Sequence, residues 1–299
     1  MNTPVAIFIY KRTQNLTLIF ASLKKIKPKT LYLIADGPKD ASEIVQVENT
    51  RKNLELLIDW PCIVHKNYAN TNLGLKERFK SGIDWIFNQE DKAIFLEDDC
   101  IPDPSFFRFC DELLEKYKND ERVFSISGNN FQFGKDSPKE SYYFSKYPHI
   151  WGWATWKRSW DKYDSEISDW QSRRSSSWLR EVIGGFIIAK FWKYIFDRLS
   201  AGKINTWDYQ LTYASFKNRG LNIIPSVNLV TNVGYGADST NIKSKNKTIG
   251  VSTVPMQFPL VHPTEFRVDE ESDRRIENLV YLHPLGKISL FLKSILGMI

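Results

Sequence analysis

Three consecutive acids, Glu97, Asp98 and Asp99, stand where side chains can do chemistry. Four apolar residues, Ala93 to Leu96, lead into them. Pro102 and Pro104 follow, and then Phe106, Phe107 and Phe109. Carboxylates at the mouth of a buried strand are held rigidly and close together, and their repulsion is costly unless a cation neutralises it. Hard oxygen ligands suit Mg2+ or Mn2+, which keep coordination positions open for phosphate oxygens. Such an ion stabilises a diphosphate leaving group as a Lewis acid. The plainer alternative is an exposed acidic turn that caps the next helix. With 35 acids in 299 residues the tripeptide alone says little, and the flanking residues give it meaning.

Those acids need a scaffold, and the first 130 residues supply one by alternating strands with helices. Val5 to Tyr10 is an unbroken apolar run, as a strand buried on both faces requires. A helical stretch follows with Leu16, Ile19, Phe20 and Leu23 on one face. Thr30 to Ala35 is the next strand and ends at the turn signal Asp36-Gly37-Pro38. Residues 41–58 read as a helix, Cys62 to His65 as a short strand, and 74–88 as a helix. Ala93 to Leu96 runs into the acids, and Arg122 to Ser127 makes a fifth strand. This alternation predicts an α/β fold with a mostly parallel sheet flanked by helices. Right-handed crossovers bring the loops after the strands to one edge, where ligands bind. Lys11-Arg12, Asp36-Gly37, Lys66-Asn67 and the acidic triplet are therefore expected to converge. Beyond residue 140 the pattern changes: a helix is expected over 178–201, another from Trp207, and strand-like pieces over 222–230. Residues 234–250 read as a mobile loop.

Composition narrows the class. Hydrophobic residues make up 42% and charged residues 25%, ordinary for a globular chain. The net charge of +6 is mild and diffuse, and there is no basic helix or nucleic-acid motif, so no nucleic-acid partner is expected. Three cysteines without a CxxC pair indicate neither a disulfide framework nor a zinc site. No GxGxxG follows the first strand and no GxxxxGK[ST] occurs, which sets aside dehydrogenases and P-loop kinases. The apolar run near the N-terminus is six residues long and reads as a strand rather than a signal or anchor. A cytoplasmic protein is expected.

The segments FLEDDCIPDPSFF, WGWATWKRSW and NTWDYQLTYASFKNRG, in this order and spacing, resemble bacterial glycosyltransferases of the GT-A type. These are related to the family-2 transferases and to the N-acetylglucosaminyltransferase I group. The resemblance runs over roughly residues 4–265 and implies a Rossmann-like nucleotide-diphospho-sugar transferase fold. It implies that the EDD triplet stands in for a DxD motif, with Asp99 on the metal and Glu97 and Asp98 at the donor. Arg12 would lie near the nucleotide, Asp36 would receive the uracil edge, and Lys76 and Arg78 would approach the donor. The Trp207-Asp208 pair matches an element whose acid is the catalytic base of inverting members. Tyr209 follows here where a second acid stands in the eukaryotic enzyme, so Glu181 and Asp238 stand as substitutes for Asp208.

On that reading residues 1–265 are the catalytic domain, with a donor half at 1–130 and an acceptor half at 131–265. Residues 266–299 form a helical tail. Four of the ten tryptophans, Trp151, Trp153, Trp156 and Trp160, fall within ten residues. Aromatic faces pack on the C–H face of a sugar, but Trp153, Trp156 and Trp160 have the spacing of one helical face and are expected in the core. Trp151 and Gly152 are placed at the acceptor site with Trp207. The Asn129 and Asn130 amides either bind hydroxyls or make a turn. Gly234 to Asp238 would open a lid, and His262 is a later candidate metal ligand. The apolar stretch 285–299 is too short to span a bilayer. It either lies at the inner-membrane surface, which suits a lipid-linked acceptor, or docks on protein. The implied activity is an inverting, Mn2+- or Mg2+-dependent transfer from a nucleotide-sugar donor, UDP-linked, to a glycan acceptor in bacterial surface polysaccharide synthesis. A catalytically silent sugar-binding module and a metal-dependent nucleotidyltransferase or phosphohydrolase are the rivals. The latter would need more acids or a phosphate-gripping basic motif.

Overall fold

Five apolar residues without a polar interruption, Val5–Ile9, form strand β1, and both of its faces are buried. The computed structural model describes residues 1–134, 139–174, 177–234 and 250–282. Helix α1 (Leu16–Ile26) leads to β2 (Thr30–Ala35), α2 (Ile44–Leu56), β3 (Ile63–Tyr68) and α3 (Leu75–Phe87). Then come β4 (Lys92–Glu97), β5 (Cys100–Pro102) and α4 (Pro104–Lys116). Asp103 caps α4 by accepting from Ser105 N at 2.8 Å, with Pro104 opening the first turn. Strands β6 (Val123–Ser127), β7 (Tyr142–Ser145) and β8 (Trp153–Trp156) follow. The helical part comprises α5 (Lys157–Trp160), α6 (Trp170–Arg173), α7 (Trp178–Ile183), α8 (Phe186–Ser200) and α9 (Asp208–Lys217). The described chain closes with β9 (Leu221–Pro225), β10 (Val230–Asn232), α10 (Glu270–Ile276) and a π-turn, Glu277–Tyr281.

Eight strands form one sheet in the order β3-β2-β1-β4-β8-β6-β9-β7, and β5 pairs with β10 in a separate ribbon. β1 runs parallel to β2 and β4, β2 to β3, and β6 to β9, while β8 is antiparallel to β4 and β6 and β7 to β9. Only β7 and β8 therefore oppose the common direction, and the expected α/β class with a mostly parallel sheet holds. The sheet's second half is built from strands beyond residue 120, and β8 is inserted between β4 and β6.

Alternate residues of β1 feed two cores. Val5, Ile7 and Ile9 pack with Leu16, Ile19, Phe20 and Leu23 of α1 and the phenylalanines of α4. Ala6 and Phe8 pack with α3 and α9, Phe8 stacking on Phe79 at 4.2 Å between ring centroids. A third cluster centres on Trp192 and Phe196 of α8, with Tyr147, Tyr213 and Phe216. Helix α10 docks on the end of β7: the Asp273 carboxylate accepts from the Ser145 hydroxyl and from Lys146 N.

Two local expectations are corrected. The helix expected over 178–201 is two helices, because Gly184 adopts φ 91° and breaks the first before Gly185 starts the second. Trp153 and Trp156 do not lie on a helix but on β8. Trp160 falls in α5, and all three rings are buried as core. Among the described residues no helix is long and apolar enough to cross a membrane. Asp238, the stretch 285–299 and most of the loop 234–250 lie outside the described residues.

Candidate functional site

The order β3-β2-β1-β4 reverses direction of growth between β1 and β4, and in such sheets ligands bind outside the carboxyl ends of the strands at that point. Arg12 lies just beyond β1, Glu97 ends β4, and Asp98 and Asp99 form the turn that follows it. Arg12 Nη1 sits 2.9 Å from Asp99 Oδ2 and 3.3 Å from Asp98 Oδ1. Tyr10 N donates to Asp98 Oδ2 at 3.3 Å. The turn is closed from a distant part of the chain: Asn232 Nδ2 donates to Asp99 Oδ1 at 3.0 Å, and Val233 N donates to the Asp99 carbonyl at 2.9 Å. Gly234 follows, and a Cβ there would come within 2.0 Å of Asp99 Oδ2.

Three carboxylates share this corner with one guanidinium, and burial first, then their mutual repulsion, weakens Glu97 and Asp98 as acids. Burial raises Glu97 well above the usual carboxylate range, with the charges of Asp99, Asp98 and Asp208 adding to it. Burial and then Asp99 push the Asp98 carboxyl up to about 7, against the pull of Arg12. Burial also disfavours charge on Arg12, but the neighbouring Asp98 and Asp99 outweigh it and its acidity falls below the ordinary value. Asp208 opens α9 and accepts from the Thr206 hydroxyl. Burial raises its carboxyl too, and its charge is felt at Glu97, so the two acids share one region from different elements.

Among the described residues no three His, Cys, Asp or Glu side chains converge as a ready-made metal site. The donor set nevertheless fits one kind of ion. Its oxygens are hard, and the Arg12 guanidinium is shared between the carboxylates of Asp98 and Asp99. That suits a Mg2+ or Mn2+ bound mainly through a ligand's phosphates, with Asp99 as the protein's contribution.

The remaining candidates are placed as follows. Asp36 directly follows β2, but both its oxygens are occupied. Gly37 N and Leu73 N donate to Oδ1 at 2.8 Å, and Asn72 Nδ2 and Gly74 N to Oδ2 at 3.0 and 3.1 Å. The carboxylate thus pins the loop that starts α3, and a base edge would have to displace one of these donors. Arg78 is buried and turns Nη2 to the Asn67 carbonyl at 2.7 Å. Lys76 pairs with Glu166 at 2.5 Å near the surface. Trp207 is sealed in the core, stacked on Phe79 at 4.6 Å and on Trp153 at 5.5 Å, and its ring offers no face to a ligand. Trp151 is half-buried beside Gly152, whose φ of 64° and closeness to Val230 require glycine. Glu181 is exposed on α7, paired with Ser177. His262 Nδ1 faces the Tyr142 hydroxyl at 3.0 Å, apart from the acids.

The two asparagines part company. Asn130 makes a turn, its Oδ1 accepting from Gln132 N at 2.6 Å and its Nδ2 donating to the Pro225 carbonyl at 2.6 Å. Asn129 Oδ1 accepts from Trp151 N at 3.2 Å, while its Nδ2 is buried without a partner. Sequence reasoning missed Tyr10, Thr206 and Asn232. Asn232 lies 133 residues beyond the carboxylate it holds, and only the β5–β10 pairing joins them.

No family model matches the sequence, and no curated protein matches it significantly. Among solved structures, a UDP-glucose pyrophosphorylase complexed with UDP-glucose is similar over 75% of this chain and 90% of its own, at 11% identity and a TM-score of 0.38. A mannosyltransferase from Pyrobaculum calidifontis in complex with GDP-Man and Mn2+ is similar over 73% of this chain and 70% of its own, at 10% identity and a TM-score of 0.35. HddC from Yersinia pseudotuberculosis is 14% identical over 43% of this chain, with a TM-score of 0.30, and the chain spans 58% of its length. These likenesses are partial, and the functional reading rests on the site itself.

Proposed function

We propose that the chain is an inverting, Mn2+- or Mg2+-dependent glycosyltransferase that moves a sugar from a nucleotide-sugar donor, UDP-linked in our reading, to a hydroxyl of a glycan acceptor. The observation that carries this is the pairing of two acidic groups at one crevice. Glu97, Asp98 and Asp99 sit with Arg12 at the β1/β4 reversal, and the separate buried carboxylate of Asp208 approaches from α9. A diphosphate needs the first group and a hydroxyl nucleophile needs the second. The bacterial surface-polysaccharide setting and a lipid-linked acceptor rest on the sequence resemblance.

Asp208 takes the acceptor hydroxyl proton as that oxygen bonds to the anomeric carbon. The bond from that carbon to the diphosphate oxygen breaks, and its electron pair leaves with the nucleoside diphosphate. Burial weakens Asp208 as an acid and so strengthens its carboxylate as a base, in the direction that proton abstraction needs. Arg12 is already held at Asp99 and can turn from the carboxylates to the diphosphate. A divalent ion, when bound, adds positive charge at the leaving group.

The test uses UDP-, GDP-, CDP- and TDP-sugars with Mn2+ or with EDTA, read by thermal shift and by diphosphate release. One nucleotide class is expected to stabilise the protein in a metal-dependent way, and Asp99→Ala to abolish that effect. If no nucleotide shifts the melting temperature, with metal or without, the transferase reading fails. Pyrophosphate release from a nucleoside triphosphate and a sugar 1-phosphate would make it a nucleotidyltransferase instead.

A further inference from the structure

Beside the acidic crevice lies a second polar group that the transfer chemistry does not use. Gly128 N donates to the Gly152 carbonyl at 2.6 Å, which brings the end of β6 against the start of β8. A Cβ at either glycine would strike Val230 Cγ2, at 2.5 and 2.6 Å, so β10 lies across this junction. Two residues along β10, Asn232 holds Asp99. Phe95 of β4, Trp153 of β8 and Ser127 of β6 lie at one level of the sheet, Glu97 and Asn129 each follow two residues further along the parallel strands β4 and β6, and Trp151 N is bonded to the Asn129 side chain. Asn129 and the acids therefore occupy the same sheet edge, roughly 10 Å apart at about 4.8 Å per strand.

Asn129 and His149 are 1% and 4% exposed, and Asn129 Nδ2 and His149 Nε2 have no hydrogen-bond partner. Two orphaned polar atoms in one buried corner are unusual, because each costs about 1–3 kcal/mol. His149 Nδ1 faces the Asn129 carbonyl at 3.5 Å, so Nδ1 carries the proton and Nε2 is an acceptor. Asn129 Nδ2 can only donate. A donor on one residue and an acceptor on its contacting neighbour are together what a hydroxyl, which accepts and donates at once, requires. The Phe131 ring lies 4.9 Å from His149 and 5.1 Å from the half-buried Trp151, so these two aromatic rings adjoin the pair.

We infer that Asn129 Nδ2 and His149 Nε2 form a hydroxyl-reading subsite for the pyranose, with Phe131 and Trp151 as its aromatic wall. The inference rests on the glycosyltransferase reading, since it names the sugar-specificity determinants of that same crevice. The hydroxyl belongs either to the transferred sugar or to the acceptor sugar.

The experiment separates these cases and separates this inference from the reading beneath it. Binding of UDP alone, of UDP-glucose, UDP-galactose and UDP-N-acetylglucosamine, and of methyl glycosides with their monodeoxy analogues is measured on the wild type, Asn129→Ala and His149→Phe. Wild type is expected to bind one glycoside or UDP-sugar at least about tenfold more tightly than its monodeoxy analogue. Both variants are expected to bind UDP as the wild type does and to lose that preference. A preference seen only with UDP-sugars assigns the transferred sugar, and one seen with methyl glycosides in the presence of UDP assigns the acceptor. Absence of binding by UDP and equally by GDP, CDP and TDP in the wild type would sink the underlying function. Normal UDP binding with the deoxy preference intact in folded variants would sink the subsite and leave the two atoms to an enclosed water. Should the variants not fold, the Nε2 resonance of His149 in the wild type decides. It must shift when the preferred sugar is added, and an unmoved resonance overturns the inference.

Discussion

Asp208→Asn removes the charge of the proposed base while keeping its shape and its contact with Thr206. It is expected to lower kcat by about 100- to 10,000-fold with donor affinity nearly unchanged, as steady-state kinetics beside donor titration would show. A parallel fall in affinity would instead make Asp208 a binding residue. His149 predicts a pH effect. Burial pushes its ring down to about 4, so below the ordinary value near 6.5 the unfolded chain takes up a proton that the folded one refuses. Its effect on stability is nil above pH 6.5 and becomes a loss on acidification, reaching on the order of 3 kcal/mol near pH 4. His149→Phe should flatten that part of the denaturant-stability profile between pH 6.5 and 4, and an unchanged slope would put the loss on other groups. The acidic triplet was legible in sequence because residue type and a preceding apolar run are local signals. The partners that settle its charge were not. Asn232 shows itself only after folding, and nothing local distinguishes Asn129, with its orphaned amide, from Asn130, which is fully bonded.

At the level of elements, uninterrupted apolar runs gave β1, β2 and β4 directly, since a strand buried on both faces has no polar option. Trp153 and Trp156 misled because a spacing of three fits a helix, while on β8 they pair with Phe95 and Lys92 of β4. The 178–201 helix failed at Gly184, whose φ of 91° no periodicity reveals. That break is testable. A Cβ at Gly184 meets nothing nearer than Lys146 Nζ at 3.8 Å, so Gly184→Ala carries backbone strain alone. It should cost about 1–2 kcal/mol by urea denaturation, with activity retained. Gly82 on α3 is the contrasting case. Its Cβ would lie 2.7 Å from the Phe8 ring and 2.9 Å from Ile34, and Gly82→Ala should cost about 1–3 kcal/mol by overpacking the α3–sheet interface. Equal melting temperatures for Gly82→Ala and the parent would mean that α3 can slide away from β1.

Across the whole molecule, segments far apart in sequence interleave. β8 lies between β4 and β6, β9 lies between β6 and β7, and α10 returns to the end of β7. Ending the chain at residue 268 would remove Ile276 and Leu282 from the core and leave Ser145 and Lys146 N without Asp273. At about 1.5–3 kcal/mol per buried aliphatic side chain, plus the orphaned donors, the loss is roughly 5 kcal/mol or more. The melting temperature should fall by about 10 °C or more against a chain ending at Leu282, and a matching melt would show that α10 is dispensable. The same interleaving binds Gly234 to Asp99. Because a single methyl at 234 would collide with a carboxylate oxygen, no side chain is admissible there while Asp99 keeps its place. In a randomised library this position would therefore stay invariant along with the acidic triplet. A lineage could change residue 234 only after first relinquishing Asp99, so the two codons form one unit of inheritance that their distance along the gene conceals.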